Sequence, residues 1–269
     1  MLRQLSVLAA RTIPVSAKNW IHRNRTLDNA SRKVFAFLCK ASDENVAIEG
    51  GPMRGIKLRM SEHVSHAHIG GTYELETQQA IDKLLVPGSV CYDLGASIGY
   101  FSLLMARKAR QVYAFEPAPH AAAELVRHAA ANGFQNITVE PSPVSDQRRR
   151  VKFCLTDVAY GSSIVEEENQ WPSIDLTAIT LDEFVETHPF PDFIKIDVEG
   201  EEGRVLQGAQ SILARRQTRI CCEVHSRRNA EEVQEALAPH GYKITTLTGE
   251  PFIPHSQIVG GEVQVIAVP

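Results

Sequence analysis

Three short stretches carry the residues best suited to chemistry. The first is Asp93-Leu94-Gly95-Ala96-Ser97-Ile98-Gly99, set between the apolar runs 90–94 and 100–106. It reads as a buried strand ending near an acid, a glycine turn, and a helix. Loop amides and the helix N-terminus then point at whatever lies above the strand end, and glycine lets the backbone approach it closely. The dinucleotide pattern G-x-G-x-x-G fails, because Ser97 and Tyr100 hold its second and third glycine positions. What is present is D-x-G-x-x-x-G. The next strand, 111–115, ends in Glu116, an acid placed to bind ribose hydroxyls. The second stretch is Asp197-Val198-Glu199-Gly200 and the third Glu223-Val224-His225, each closing an apolar run. Asp197 and His225 form an acid–histidine combination able to take or orient a proton.

Together the glycine loop and Glu116 resemble the S-adenosylmethionine (SAM) site of class I methyltransferases. Further stretches resemble the FkbM-type family in the family's order. They are Gly71-Thr72-Tyr73-Glu74, Gly161-Ser162-Ser163, Thr180-Leu181-Asp182-Glu183-Phe184, Asp192-Phe193-Ile194-Lys195-Ile196-Asp197-Val198-Glu199-Gly200-Glu201-Glu202 and Glu223-Val224-His225. The resemblance covers roughly residues 47–247. It implies methyl transfer from SAM to a hydroxyl of a small molecule, polyketide or saccharide. It also implies that Asp93, Gly95, Ala96 and Gly99 hold the methionine part, with Ser97 shaping the loop and bonding the cofactor. Glu116 would hold the ribose, and Val144 with its neighbours the adenine. Methyl transfer is an in-line displacement that needs no covalent enzyme intermediate, so the protein must align the acceptor and remove its proton. Asp197 and His225 are the candidates, as base or orienter; Glu199 and Glu223 are weaker ones. Lys195 lies within its strand, where it would pair with an acid. No metal ligand set is assigned, although some class I O-methyltransferases hold a divalent ion that Asp197 and a neighbour would suit.

Two other readings compete. Gly95-Ala96-Ser97-Ile98-Gly99 matches G-x-S-x-G, the nucleophile elbow of α/β-hydrolases, with Asp197 and His225 following in the right order. A serine esterase would leave Asp93 and Glu116 without a task. A non-catalytic SAM-fold binding subunit would be expected to lose an acid from the loops, and none is missing.

The elements that must position these residues alternate strand and helix from residue 90 onward. That rhythm predicts a doubly wound, mostly parallel Rossmann-like α/β sheet, with ligands outside the carboxyl ends of its strands. The pair 242–247 and 262–268, with no helix between them, predicts a terminal antiparallel strand. Residues 201–215 read as one helix, and 151–180 as an insertion near the mouth of the site. The loop with His63, His66 and His68 reads as solvated or facing substrate. Residues 1–46 form a separate piece, a helical extension with a helix over 31–40 or a basic leader, followed by a catalytic domain over 47–269.

The chain has 269 residues, 43% hydrophobic and 22% charged, with net charge −4 and a pI near 6.2. That balance gives no reason to expect nucleic acid as a partner, and no apolar run approaches the roughly 18 residues of a membrane span. A small-molecule or saccharide acceptor, and a homo-oligomer, are the expected partners. The five cysteines show no disulfide-like spacing, which points to reduced thiols in a cytoplasmic compartment.

Overall fold

A computed structural model describes residues 44–269 apart from 62, 156–162, 166–171 and 259–261. The expected helix over 31–40, any leader, Gly161 and Ser162 lie outside the described residues.

The chain first pairs β1 (Asn45–Ala47) with β2 (Lys57–Arg59) in an antiparallel hairpin. Two helices follow, α1 (His66–Gly70) and α2 (Leu75–Leu84). The main alternation is β3 (Val90–Leu94), α3 (Tyr100–Ala106), β4 (Gln111–Phe115), α4 (Pro119–Ala131) and β5 (Ile137–Glu140). A small antiparallel sheet of β6 (Arg149–Cys154), β7 (Ile164–Val165) and β8 (Ser173–Ala178) interrupts it. Then come α5 (Leu181–Phe184), β9 (Phe193–Ile196), α6 (Glu202–Gln207), α7 (Gln210–Ala214), β10 (Arg219–Val224) and α8 (Arg227–Leu237). The last elements are β11 (Lys243–Thr246), α9 (Pro254–Gln257) and β12 (Val263–Val268).

Seven strands make the main sheet, in the order β11-β12-β10-β9-β3-β4-β5. β3, β4, β5, β9 and β10 run parallel, and β12 runs antiparallel between β10 and β11. From β3 the chain winds outward through β4 and β5, then returns to start again at β9. The switch point therefore falls between β3 and β9, where open α/β sheets bind ligands.

Side chains alternate across the sheet with period two. Val90, Tyr92, Leu94, Ile194 and Ile196 face a core with Leu181, Val205, Leu206 and Val233 from the helices after β8. Cys91, Phe193 and Cys221 face the opposite core, with Leu103, Leu104, Met105 and residues of the hairpin. Asp93 and Lys195 share this second side, and the β3–β9 register sets them directly opposite each other.

Two elements depart from the sequence expectation. The helix expected over 201–215 breaks at Gly208-Ala209. A Cβ on Gly208 would lie 2.3 Å from the carbonyl oxygen of Ser145, so the helix bends around that loop. The last two strands are joined through the four-residue helix α9, whose residue Pro254 has no N–H to continue a strand ladder.

Candidate active site at the switch point

The glycine loop is built by close approach. Gly95 has φ +76°, and a Cβ there would stand 1.8 Å from the carbonyl oxygen of Asp197. Only glycine lets β3 and β9 close at this point. Gly99 caps α3 with φ +88°, where a Cβ would press on Leu125. Ser97 has φ +50°, a left-handed conformation a serine adopts at some cost.

Glu116 leaves the tip of β4 and turns its carboxylate back under this loop. It accepts the N–H of Ser97 at 2.7 Å and the N–H of Ala118 at 2.8 Å. Burial pushes its carboxyl up to about 7, against the pull of the two amides. Each oxygen retains a lone pair for another donor.

Asp93 is wholly buried. Its Oδ2 accepts the Ser102 hydroxyl at 2.5 Å, while Oδ1 has no hydrogen-bond partner. Burial raises its carboxyl, and the Lys195 ammonium opposes that. Lys195 is 2% exposed, lies 4.8 Å from the Phe101 ring centre, and donates to Asp197 Oδ2 at 2.9 Å. Burial alone would strip its proton, but Asp197, Asp93 and Glu74 outweigh it and keep the ammonium charged.

His225 follows β10, beside β9. Its Nδ1 lies 2.9 Å from Glu202 Oε1, and its Nε2 lies 3.7 Å from both Asp197 Oδ1 and Glu199 Oε2. Burial lowers its affinity for a proton, but the Glu202 hydrogen bond and the three carboxylates together raise it to about 9. The raised affinity favours the protonated ring near neutrality, which donates from both nitrogens and suits the orienting role among the two expected of His225. Burial likewise raises Glu223, to about 9, and it hydrogen-bonds to Gln264.

Two adjoining cavities open here. The first is lined by Asp93, Gly95, Ala96, Ser97, Glu116, Lys195 and Asp197, with Tyr73, Phe101 and Glu199 at its sides. The second is more apolar, with Phe115, Pro143, Val144, Phe153 and Ile164 among its walls. Gly95, Glu116 and Asp197 border both. Among the sequence-predicted residues, Asp93, Gly95, Ala96, Ser97, Glu116, Val144 and Asp197 meet at these cavities. Gly99 supports the loop from behind, and His225 reaches the site through Asp197.

Lys195 was missed as a functional residue, because its central place depends on which strand β9 joins. The one available signal was a lysine inside an otherwise apolar run. The histidine loop also differs from expectation. His68 is buried, with its ring 4.1 Å from Tyr73 in a stack and edge-on to Tyr100. It buttresses the wall that carries Tyr73.

The hydrolase geometry is absent. Both nitrogens of His225 face carboxylates, so no triad joins Ser97 to it.

The Methyltransferase FkbM domain family matches residues 93–244, more than half of the chain. The chain belongs to the FkbM methyltransferase family. It is 27% identical over 184 residues to hexuronic acid methyltransferase AglP of Haloferax volcanii, covering 61% of this chain and 70% of that protein. It is 29% identical over 230 residues to 31-O-demethyl-FK506 methyltransferase FkbM of Streptomyces tacrolimicus, covering 70% of this chain and 88% of that one. A solved FkbM methyltransferase from Methylobacillus flagellatus KT shares 16% identity at a TM-score of 0.48. The match covers 75% of this chain and about half of that one, 53%. No helix among the described residues is long and apolar enough to cross a membrane.

Proposed function

We propose that this FkbM-family methyltransferase moves a methyl group from SAM to a hydroxyl of a small molecule, polyketide or saccharide. The observation that carries this reading is the pair of adjoining cavities at the switch point, one acidic and one apolar, bridged by Gly95, Glu116 and Asp197. SAM is a molecule of that pattern, cationic at its amino-acid end and apolar at its base. The residues fit it. Asp93 offers a buried oxygen with no hydrogen bond, and the backbone of Gly95 borders both cavities.

On this reading Asp93, Gly95, Ala96 and Ser97 hold the amino-acid end, with Gly99 fixing the loop. Glu116 accepts from the ribose, and Val144 with Phe115 and Phe153 encloses the adenine. Bound there, SAM supplies an electrophilic methyl whose bonding pair stays with sulfur. Asp197 faces the acceptor and takes up its hydroxyl proton. Lys195 fixes one oxygen of Asp197, and the His225 cation lies beside the other. The two curated relatives, named for a hexuronic acid and for an O-demethyl substrate, support an oxygen acceptor.

Two measurements test this. Calorimetry should show SAM and S-adenosylhomocysteine (SAH) binding to the purified chain. Incubation with methyl-labelled SAM and a panel of hydroxylated metabolites and glycans should label an acceptor on oxygen. A folded chain that binds neither nucleoside would sink the reading, as would label found only on nitrogen or carbon.

A further inference from the structure

One constellation beside the cleft has ligand chemistry that methyl transfer alone does not require. Asp197, Glu199 and His225 each offer one ligand atom, and the three atoms lie within 4.8 Å of one another. His225 Nε2 is 3.7 Å from Asp197 Oδ1 and 3.7 Å from Glu199 Oε2. Ligands about 2.1 Å from a shared cation stand about 3.0–3.5 Å apart, so a small inward movement closes the set.

A second observation comes from behind the ring. Glu202 is fully buried, and its Oε1 sits 2.9 Å from His225 Nδ1 while Oε2 has no partner. Such a buried carboxylate on the far nitrogen is how metal-binding histidines are oriented and made better donors. It fixes Nδ1–H as the donor and turns Nε2 to the two carboxylates. Oε1 also accepts the N–H groups of Val198 and Gly200, which holds the Asp197–Gly200 loop against the ring.

Charge points the same way. Asp197, Glu199 and Glu202 set three carboxylates against the Lys195 ammonium and the His225 ring, whose Nε2 would bind a divalent ion in place of its proton. Lys195 occupies Asp197 Oδ2 and leaves Oδ1 for another partner. Asp197 and Glu199 also line the first cavity, so a cation between them would border the acceptor's space.

We propose that Asp197, Glu199 and His225, backed by Glu202, form a divalent-cation site that takes a hydroxyl oxygen of the acceptor on its open face. Imidazole with two carboxylates suits a first-row divalent ion such as Mn2+. A cation there would polarise the bound hydroxyl as a Lewis acid, so that its proton leaves to water and Asp197 serves as ligand instead of base. The inference rests on the methyl-transfer reading only for the identity of that oxygen.

The test is a titration of the full chain with Mn2+, followed by the loss of the free-ion paramagnetic resonance signal. The expected result is about one Mn2+ per chain. Glu199→Gln and His225→Ala, each confirmed as folded by circular dichroism, should bind it at least tenfold more weakly. Glu199 is one-third exposed, which keeps Glu199→Gln informative should His225→Ala unfold. Absence of Mn2+ binding in the wild type overturns the site, and so does an affinity within twofold of wild type in Glu199→Gln. SAH calorimetry on the same wild-type sample separates the two readings. SAH bound without Mn2+ removes the cation site alone. Mn2+ bound without SAH sustains the cation site and sinks the methyl-transfer reading.

Discussion

Glu116 touches both the loop and the cavities, so it is the most informative single residue. Each charge-assisted hydrogen bond to ribose contributes roughly 1.5–3 kcal/mol, so Glu116→Ala should weaken SAH binding about tenfold or more by calorimetry. An unchanged affinity would remove Glu116 from the ribose site. Its carboxyl lies near 7 in the ligand-free fold because burial outweighs the two amides. SAH affinity should therefore rise as pH goes from 6 to 8, since the protonated acid has lost acceptor capacity. The sign for stability is opposite. A carboxyl raised from 4.5 contributes stability below that value, and loses it as pH climbs through about 7. Glu116→Gln should flatten both curves. A pH series of calorimetric titrations and thermal melts checks this, and a slope that survives in Glu116→Gln assigns the titration to another group. Glu116 was legible in the sequence because an acid directly after an apolar strand is a local pattern. The 2.9 Å bond from Lys195 to Asp197, and the pairing of Lys195 with Asp93 across β3 and β9, are not local. They exist only once the chain has returned from β8 to the middle of the sheet.

Among the elements, the turn between β3 and α3 is set by close backbone packing. Gly95→Ala meets both a left-handed φ and the Asp197 carbonyl, so it should destabilise the fold by about 2 kcal/mol or more. It should also abolish SAH binding. A thermal melt within one degree of wild type would show that the loop can open around a methyl group. The central strand β9 makes a separate prediction. Lys195→Met leaves Asp93 and Asp197 without their buried cation, and breaking such a pair costs about 3–5 kcal/mol. Urea denaturation measures it, and a loss below 1 kcal/mol would mean that water reaches the site freely. Strand and helix periods made most elements readable. The break at Gly208-Ala209 was not, because the carbonyl of Ser145 that forces it comes from a loop more than 60 residues earlier.

For the whole molecule, two cores flank the main sheet and enclose Cys91 and Cys221 on one side and Cys222 on the other, while Cys154 is buried at the end of β6. Cys91, Cys154, Cys221 and Cys222 are buried and form no disulfide. Burial pushes the Cys91 and Cys221 thiols up to about 12, so few thiolates form. A chromogenic disulfide reagent should leave these four unreacted in the native chain and reach them all in denaturant. Rapid labelling of any of them in the native state, located by mass spectrometry, would mean that a core opens far below global unfolding. The doubly wound order was readable from the strand–helix rhythm, because parallel strands require crossovers. The place of β12 between β10 and β11 was not, since an antiparallel strand can join either edge.

The crowding of Asp93, Asp197 and Glu74 around one lysine has a consequence for how turnover ends. On the proposed reading, the sulfonium enters a cleft whose carboxylates outnumber its ammonium. Transfer discharges that sulfonium to a neutral thioether. The spent nucleoside thus loses an electrostatic hold that the incoming one keeps, and the cleft favours exchange over product inhibition. Each added negative charge near Lys195 would widen that preference, and each one removed would let the product linger.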